Sequence, residues 1–175
     1  SIDTRTLDPG ELFFALQGPN YDGSAFVSSA AKKSAAAAVL PAATDVYLPH
    51  ITVDDTKLAL GRLAFAWRKR MPAKIIGITG SNGKTTLKQM VANCLSLSGE
   101  TLATHGNFNN DIGLPLMLLR LSQEHCYAAI EMGANHPGEI AYLTSLVEPE
   151  VVVITNVASA HLEGFGNLDG VAQAK

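Results

Sequence analysis

The stretch GITGSNGKTT, residues 77–86, decides the fold, because it places a glycine-rich turn and a Gly-Lys-Thr triplet directly after an apolar run. In the common phosphate-binding loop, a glycine lies six positions before the lysine. Here the lysine is Lys84, and the residue six positions before it is Ile78. The stretch is therefore either a shorter phosphate loop or a glycine-rich turn that only imitates one.

The residue types of this stretch suit a phosphate loop. Such a loop needs backbone N–H groups that converge on oxygens, glycines that permit that path, and a helix N-terminus behind them. Gly80 and Gly83 permit the path. Lys84 can reach the β and γ phosphates of ATP, and the Thr85 hydroxyl can bind Mg²⁺. The predicted loop, shorter than the common type, consists of Gly80, Ser81, Asn82, Gly83, Lys84, Thr85 and Thr86.

Apolar runs and helical patterns alternate around this loop. KIIGIT (residues 74–79) and YAAIEMG (127–133) are typical of buried strands, and VVVITN (151–156) predicts a third strand. One helix is predicted after the loop and another from about residue 137. The apolar stripe of the first helix consists of Leu87, Met90, Val91, Cys94 and Leu95. Strand, helix, strand, helix, strand is the order of an α/β domain with a mostly parallel sheet.

A smaller α/β domain is predicted before this one. Its strand candidates are residues 12–16, 35–40 and 50–53. A helix follows from Thr56 to Arg70, and Pro72 stops it. We therefore place the domain junction near Pro72, which gives a first domain of residues 1–72 and a second of residues 73–175.

Composition narrows the class of protein. The formal net charge of −3 argues against a nucleic-acid platform built on bulk positive charge. No uncharged apolar run approaches the roughly 20 residues that span a bilayer, and the first residues lack the layout of a signal peptide. The two cysteines, Cys94 and Cys126, sit among apolar neighbours, which predicts core thiols in a reducing compartment. We expect a cytoplasmic protein without membrane insertion.

Polar residues at the strand ends are the candidates for chemistry, because parallel sheets bind ligands beyond the carboxyl ends of their strands. Glu131 ends an apolar strand, where it is either a Mg²⁺ ligand or an exposed carboxylate. His161 follows the third strand; alone, such a histidine is more often a capping or core residue than a ligand. The loop that contains Asn107, Asn109 and Asn110 is either a turn or a ligand-binding surface.

Four motifs together resemble the Mur ligase family: TGSNGKTT, GNFNNDIG, IEMGANHPGEI and NVASAHLEGFG, in this order. The loop of that family likewise lacks the earlier glycine. Residues 3–23, DTRTLDPGELFFALQGPNYDG, are similar to the uridine-nucleotide-binding domain of the family. AHLEGFG after a strand is typical of the branch that adds D-alanyl-D-alanine, whereas related branches carry an aspartate where this sequence has Ala160.

The resemblance implies an ATP-dependent ligase of peptidoglycan precursor synthesis. ATP would phosphorylate the terminal carboxylate of UDP-N-acetylmuramoyl-tripeptide, and the amine of D-alanyl-D-alanine would attack the acyl phosphate. The implied catalytic residues are Lys84, Glu131, His161 and Lys175. Thr85 and Glu131 would hold a first Mg²⁺, and His161 a second. Lys175 matches a lysine that CO₂ carbamylates, which turns an ammonium group into a metal ligand.

The resemblance also implies substrate-binding residues and the extent of the match. The predicted substrate-binding residues are Asp3, Thr4, Arg5, Asn107, Asn109 and Asn110. The family has residues before the Asp-Thr-Arg segment, further central strands and a C-terminal domain. We therefore expect this chain to hold an incomplete first domain and part of the second, with the C-terminal domain absent. By itself it should be a monomer that binds nucleotide weakly and does not turn over.

Two other classes of function share part of this pattern. A folylpolyglutamate synthase has the same phosphate loop, but the uridine-type front domain and AHLEGFG argue against it. A nucleotide-dependent switch or motor should show a longer glycine loop and a strand that ends in aspartate, where this chain has Glu131. A non-catalytic nucleotide-binding module is the remaining alternative.

Overall fold

The structure, a computed structural model, describes residues 1–18, 21–41, 47–158 and 162–175. The chain divides into two compact units, Ser1–Leu60 and Gly61–Lys175. This division falls within the helix α2, Thr56–Arg68. The predicted helix is therefore confirmed, and it ends two residues before the predicted end at Arg70. The predicted domain junction near Pro72 stays a prediction.

The first unit is a small α/β body with a parallel sheet. Its strands β1 (Leu12–Phe14), β4 (Ala37–Leu40) and β5 (His50–Thr52) lie within the three predicted strand candidates, and they pair in the order β1-β4-β5. Between β1 and β4 lie the antiparallel pair β2 (Gln17–Gly18) and β3 (Tyr21–Asp22), a 3₁₀ turn (Gly23–Phe26) and the helix α1 (Val27–Lys32). Phe13, Leu40 and Ala30 are fully buried in its core.

The second unit carries a four-stranded sheet in which every pairing is parallel. Its elements are β6 (Lys74–Thr79), α3 (Lys84–Leu95), β7 (Thr101–Ala103), α4 (Gly113–Leu118), β8 (Tyr127–Glu131), α5 (Glu139–Val147), β9 (Val151–Ile154), α6 (Leu162–Phe165) and α7 (Leu168–Ala174). The strand order is β7-β8-β6-β9. The α/β fold and the mostly parallel sheet are therefore confirmed. β6 lies between β8 and β9, so the loop that follows it leaves the middle of the sheet.

Ile78 explains why the phosphate loop is short. It is fully buried on β6 and packs with Ala92 of α3 and Ala129 of β8. A glycine there would leave part of this core empty, since removing buried side-chain atoms loses both transfer free energy and packing contacts. The strand therefore continues to Thr79, and the turn begins only at Gly80.

Helix α3 corrects two expectations about buried side chains. Met90, predicted in the apolar stripe, is 61% exposed, whereas Lys88 is only 5% exposed. Lys88 and Ala92 lie four residues apart and face inward together, which turns Met90 toward solvent. Cys94 is exposed for the same reason, and Cys126 is exposed as well, so the prediction of core thiols is wrong.

No helix within the described ranges is both long enough and apolar enough to cross a membrane.

Candidate active site

The phosphate loop turns on two glycines with positive φ. Gly80 has φ +134° and Gly83 has φ +78°, conformations that side chains disfavour. A Cβ at Gly80 would also collide with the Thr155 hydroxyl, so only glycine fits there. Gly83 caps the N-terminus of α3 and allows that helix to begin at Lys84. The predicted strand, loop and helix are therefore all present.

The end of β9 holds this loop in place. The Ser81 and Asn82 N–H groups donate to the backbone oxygen and side-chain Oδ1 of Asn156, at 3.0 and 3.1 Å. The Thr155 hydroxyl donates to the Asn82 carbonyl at 2.6 Å. Ser81 Oγ donates to the Ala158 carbonyl and accepts from its N–H, each at 3.0 Å. Ser81 and Asn82 therefore fix the shape of the loop.

Donors for an anion remain at the start of α3. The first backbone N–H groups of any α-helix have no partner within the helix, and here they belong to Lys84, Thr85 and Thr86. The Lys84 ammonium folds back and donates to the Gly80 and Ser81 carbonyls, at 2.8 and 3.2 Å. The loop therefore combines a helix N-terminus with a cation, an arrangement that favours bound phosphate.

Glu131 is a buried carboxylate beside the loop. It is 3% exposed, which excludes the alternative of an exposed carboxylate. Its Oε2 accepts a hydrogen bond from the Thr85 hydroxyl and its Oε1 one from the Asn109 amide, each at 2.9 Å. Its backbone N–H donates to Thr104 Oγ1 at 2.9 Å. Both carboxylate oxygens therefore have a polar partner, as a buried charge requires.

The asparagine loop forms a turn and also contacts Glu131, while its binding of a ligand stays a prediction. Asn110 accepts from the Gly113 N–H at 2.7 Å and from the Ile112 N–H at 3.3 Å, so it orders the turn that leads into α4. Asn109 instead turns its side-chain amide toward Glu131. The backbone carbonyl of Asn107 accepts from the Asn109 N–H at 2.8 Å.

A polar pocket of about 230 Å³ opens next to these groups. Its lining consists of Lys84, residues 109–111 and 133–135, Glu139 and Leu143. Burial raises the pKa of Glu139, but hydrogen bonds from the Asn135 N–H and from His136 outweigh it and keep that pKa below its ordinary value. The pocket therefore presents a carboxylate and an ammonium to the same space.

Lys175 lies near this pocket. Burial lowers the pKa of its ammonium, and the charge of Lys84 lowers it further, while Glu139 opposes this shift. Its Nζ stands 5.6 Å from the centroid of the Phe165 ring. The charges of Lys84 and Glu139 thus both act on Lys175, and its place in the active site stays a prediction.

The first unit holds the predicted Asp3-Thr4-Arg5 segment as an exposed turn. The guanidinium of Arg5 contacts both carboxylate oxygens of Asp3, with Nη2 to Oδ2 at 2.6 Å. Hydrogen bonds from the Arg5 side chain and backbone lower the pKa of Asp3 to about 2. Thr4 lies within this turn, and Lys33 donates to the Arg5 carbonyl at 3.0 Å.

Comparison with known protein families accounts for both units. The family described as Mur ligase middle domain matches residues 78–175, more than half of the chain. The family described as Mur ligase family, catalytic domain, matches residues 1–68.

The chain belongs to the Mur ligase family.

Relatives within this family are similar in sequence to the whole length of this chain. The UDP-N-acetylmuramoyl-tripeptide–D-alanyl-D-alanine ligase of Escherichia coli K12 is 51% identical over 175 residues, which are 100% of this chain and 39% of that protein. The ligase of the same name from Bacillus subtilis is 40% identical over 182 residues, which cover 100% of this chain and 39% of that protein. The chain thus spans about two fifths of the relatives that it matches.

Solved structures give the same assignment. The chain superposes on MurF from Acinetobacter baumannii with a TM-score of 0.96 and 42% identity, over 100% of this chain and 39% of that one. It superposes on MurF ligase from Thermotoga maritima in complex with ADP with a TM-score of 0.91 and 32% identity, over 99% of this chain and 41% of that one. The resemblance to Mur ligases stated from the sequence is confirmed.

One predicted Mur ligase residue cannot be placed. His161 lies outside the described residues. Within the described ranges, no cluster of three or more His, Cys, Asp or Glu side chains could hold a metal ion. The predicted first metal site uses one carboxylate and one hydroxyl, Glu131 and Thr85, so it does not depend on such a cluster.

Four polar residues of this Mur ligase site are not among the predicted site residues, although Glu139 and Asn156 lie within the quoted motifs. Thr104 and Lys88 lie behind Glu131, Asn156 fixes the phosphate loop, and Glu139 faces the pocket. The contacts of Thr104, Lys88 and Asn156 join residues that are distant in the sequence. Glu139 has the pattern of an ordinary surface residue. The strand-end rule points to Asn156, which follows β9, and to nothing that singles out Lys88.

Proposed function

We propose that this chain is the uridine-nucleotide-binding and ATP-binding part of a ligase that joins D-alanyl-D-alanine to UDP-N-acetylmuramoyl-tripeptide. The observation that carries the proposal is the buried Glu131 carboxylate, held between the Thr85 hydroxyl and the Asn109 amide beside the phosphate loop. Relatives named for this reaction, 40–51% identical, support it. The reaction belongs to peptidoglycan precursor synthesis, in the cytoplasm.

ATP is proposed to bind with its phosphates at the start of α3. The N–H groups of residues 84–86 and the Lys84 ammonium supply the positive potential there. The relative from Thermotoga maritima was solved with ADP, which supports nucleotide binding at the shared fold. Phosphoryl transfer depends mainly on positioning and on neutralising charge. The hydrogen bonds from Ser81 and Asn82 to the end of β9 supply the rigidity that such positioning needs.

The donor set next to the loop fits Mg²⁺. Thr85 and Glu131 offer hard oxygen atoms, the ligand type that Mg²⁺ prefers. Bound there, Mg²⁺ would neutralise charge that develops on the phosphoryl oxygens. Asn109 holds the carboxylate so that one oxygen faces Thr85. We propose His161 as a ligand of a second Mg²⁺.

Lys175 is proposed to act only after carbamylation. An ammonium group cannot ligate a metal, whereas a carbamate presents carboxylate-like oxygens. The neutral amine attacks CO₂, an N–C bond forms, and the nitrogen releases a proton. Burial and the charge of Lys84 lower the pKa of Lys175, which increases the fraction of neutral amine available for this step.

The peptide substrates are assigned to the remaining predicted residues. Asp3, Thr4 and Arg5 of the first unit are proposed to bind the uridine nucleotide part of the substrate. The asparagine loop, with Asn107, Asn109 and Asn110, is proposed to bind its peptide part, because this loop lines the pocket next to Lys84. The substrate carboxylate would take the γ-phosphoryl group of ATP beside the loop, and ADP would leave. The amine of D-alanyl-D-alanine would then attack the acyl phosphate, so that the amide bond forms and phosphate leaves. We expect the protein to act as a monomer.

The test is a substrate-omission assay on the full-length protein. Phosphate release should require ATP, UDP-N-acetylmuramoyl-tripeptide and D-alanyl-D-alanine together, because the acyl phosphate needs the first two and its aminolysis needs the third. Equal ATP hydrolysis without the peptide substrates would exclude a ligase and favour a switch or motor. Product formation with glutamate in place of D-alanyl-D-alanine would favour the folylpolyglutamate alternative.

A further inference from the structure

Lys88 is a buried cation that the proposed reaction does not use. Only 5% of the residue is exposed, and its Nζ donates to the Thr104 carbonyl at 2.7 Å. Desolvating an ammonium group is costly unless polar partners compensate it. The apolar side chain of Met90, two residues along the helix, is exposed instead. Helix α3 therefore buries a lysine and leaves a methionine exposed, the reverse of what the polarity of the two side chains favours.

Thr104 connects Lys88 to Glu131. Three polar atoms of this buried residue are engaged: its carbonyl accepts from Lys88, its N–H donates to Ala129 at 3.0 Å, and its hydroxyl accepts from the Glu131 N–H at 2.9 Å. Ala129 and Glu131 lie two residues apart on β8. Thr104 therefore fixes the last residue of that strand from its backbone side.

Helix α3 reaches Glu131 by two routes. Thr85 and Lys88 lie three residues apart on this helix and so share a face. Thr85 contacts the carboxylate of Glu131, and Lys88 supports its backbone through Thr104. Thr104 thus links Lys88 and Glu131 within one buried hydrogen-bond network.

We propose that Lys88 is a positioning residue that, through Thr104, holds Glu131 in the orientation needed to bind Mg²⁺ with the nucleotide. The inference rests on the proposed function, since it assumes that nucleotide and Mg²⁺ bind here. Lys88 touches neither ligand. Groups of this kind behind a metal ligand typically change metal affinity by about 10-fold to 100-fold when they are removed.

The experiment measures ADP affinity of the full-length protein by calorimetry, with Mg²⁺ and with EDTA. Lys88→Met keeps the length of the side chain and removes its charge and its hydrogen bond. The factor by which Mg²⁺ tightens ADP binding should fall by about 10-fold or more, while the affinity in EDTA should stay within about 2-fold. Gln89→Met, an exposed change one residue along the same helix, should keep the wild-type factor.

A second pair of variants tests the route without touching Lys88. Thr104→Val removes the hydroxyl that accepts from Glu131 and should reproduce the loss, whereas Thr104→Ser retains it and should behave as wild type. If Lys88→Met does not fold, wild-type behaviour of Thr104→Val still overturns the inference, because the proposed route passes through this hydroxyl. The inference would be overturned if the factor by which Mg²⁺ tightens ADP binding did not change. Equal losses of ADP affinity with Mg²⁺ and with EDTA would be such a result. If the wild-type protein does not bind ADP, the proposed function fails instead.

Discussion

Two polar clusters predicted from the sequence differ sharply in their surroundings. Arg5 contacts Asp3 in an exposed turn of the first unit, where the arginine side chain is 87% exposed. Glu131 is held by Thr85 and Asn109 in the second unit, where it is almost fully buried. Water can replace a lost contact in the first cluster, but it cannot in the second. Substitutions should therefore have large effects around the phosphate loop and small ones in the turn.

The largest effect should come from Lys84. Lys84→Ala removes the only charged side chain predicted to contact the phosphates, so turnover should fall roughly 100-fold to 1,000-fold or more. Binding of the UDP-peptide should be nearly unchanged, because it is assigned mainly to the first unit. Steady-state rates and calorimetry measure the two quantities. Lys74→Ala, an exposed lysine at the start of β6, serves as the control.

Loss of both turnover and UDP-peptide binding in Lys84→Ala would count against separate sites for ATP and the uridine nucleotide. Loss of both in Lys74→Ala as well would indicate a general effect on folding.

Lys175 should give the next largest effect. Lys175→Ala removes the proposed carbamate, so activity should fall about 10-fold to 100-fold, as for groups that tune a metal site. Acetate or formate should restore part of the rate, because a free carboxylate can replace the missing one. Chloride at the same concentration is the control. Rates that acetate leaves unchanged would argue against the carbamate.

Arg68, the last residue of α2, and Lys69, which follows it, compare a buried with an exposed cation, each in contact with a half-exposed glutamate. Arg68 donates to the Val147 carbonyl at 3.0 Å and contacts Glu150, with its side chain 10% exposed. Lys69 contacts Glu148, and both of those side chains are about half exposed. Arg68→Ala should lower the free energy of unfolding by about 2–3 kcal/mol, and Lys69→Ala by less than about 1 kcal/mol.

Urea unfolding measures both variants. Equal losses would show that burial does not set the strength of polar contacts in this unit.

The smallest effect should come from the exposed turn. Because hydrogen bonds from Arg5 lower the pKa of Asp3 to about 2, Arg5→Ala should return it toward its ordinary value near 3.8. The contribution of this pair to stability is present above pH 3.8 and is lost as the pH falls through about 2. A carboxyl NMR titration measures the shift. Asp22, whose pKa is lowered by Ser24, should titrate unchanged in Arg5→Ala.

The parts of the fold that depend on local sequence were predictable. KIIGIT forms a strand with the predicted bounds, Lys74–Thr79, because its residues are apolar on both faces. The Gly-Lys-Thr triplet marks the start of α3, since glycine with positive φ is needed where the strand turns into the helix. Glu131 could be singled out because a carboxylate at the end of an apolar strand is costly unless it is paired.

Contacts between distant residues were not predictable. Lys88 reads as a surface lysine, and only the approach of Thr104, 16 residues away, explains its burial. The apolar stripe misplaced Met90 because periodicity gives the spacing of a helix face but not the side that packs on the sheet. The roles of Lys84, Lys175 and the other site residues stay predictions.

The central position of β6 has a consequence for protection against hydrogen exchange. This strand is paired on both sides, with β8 and with β9, so its amides should open only when the whole unit unfolds. The phosphate loop continues directly from this strand, and its first N–H groups are held by Asn156. The nucleotide-binding loop should therefore lose its shape only when the whole unit unfolds. Local fraying at the edges of the sheet should change nucleotide affinity little.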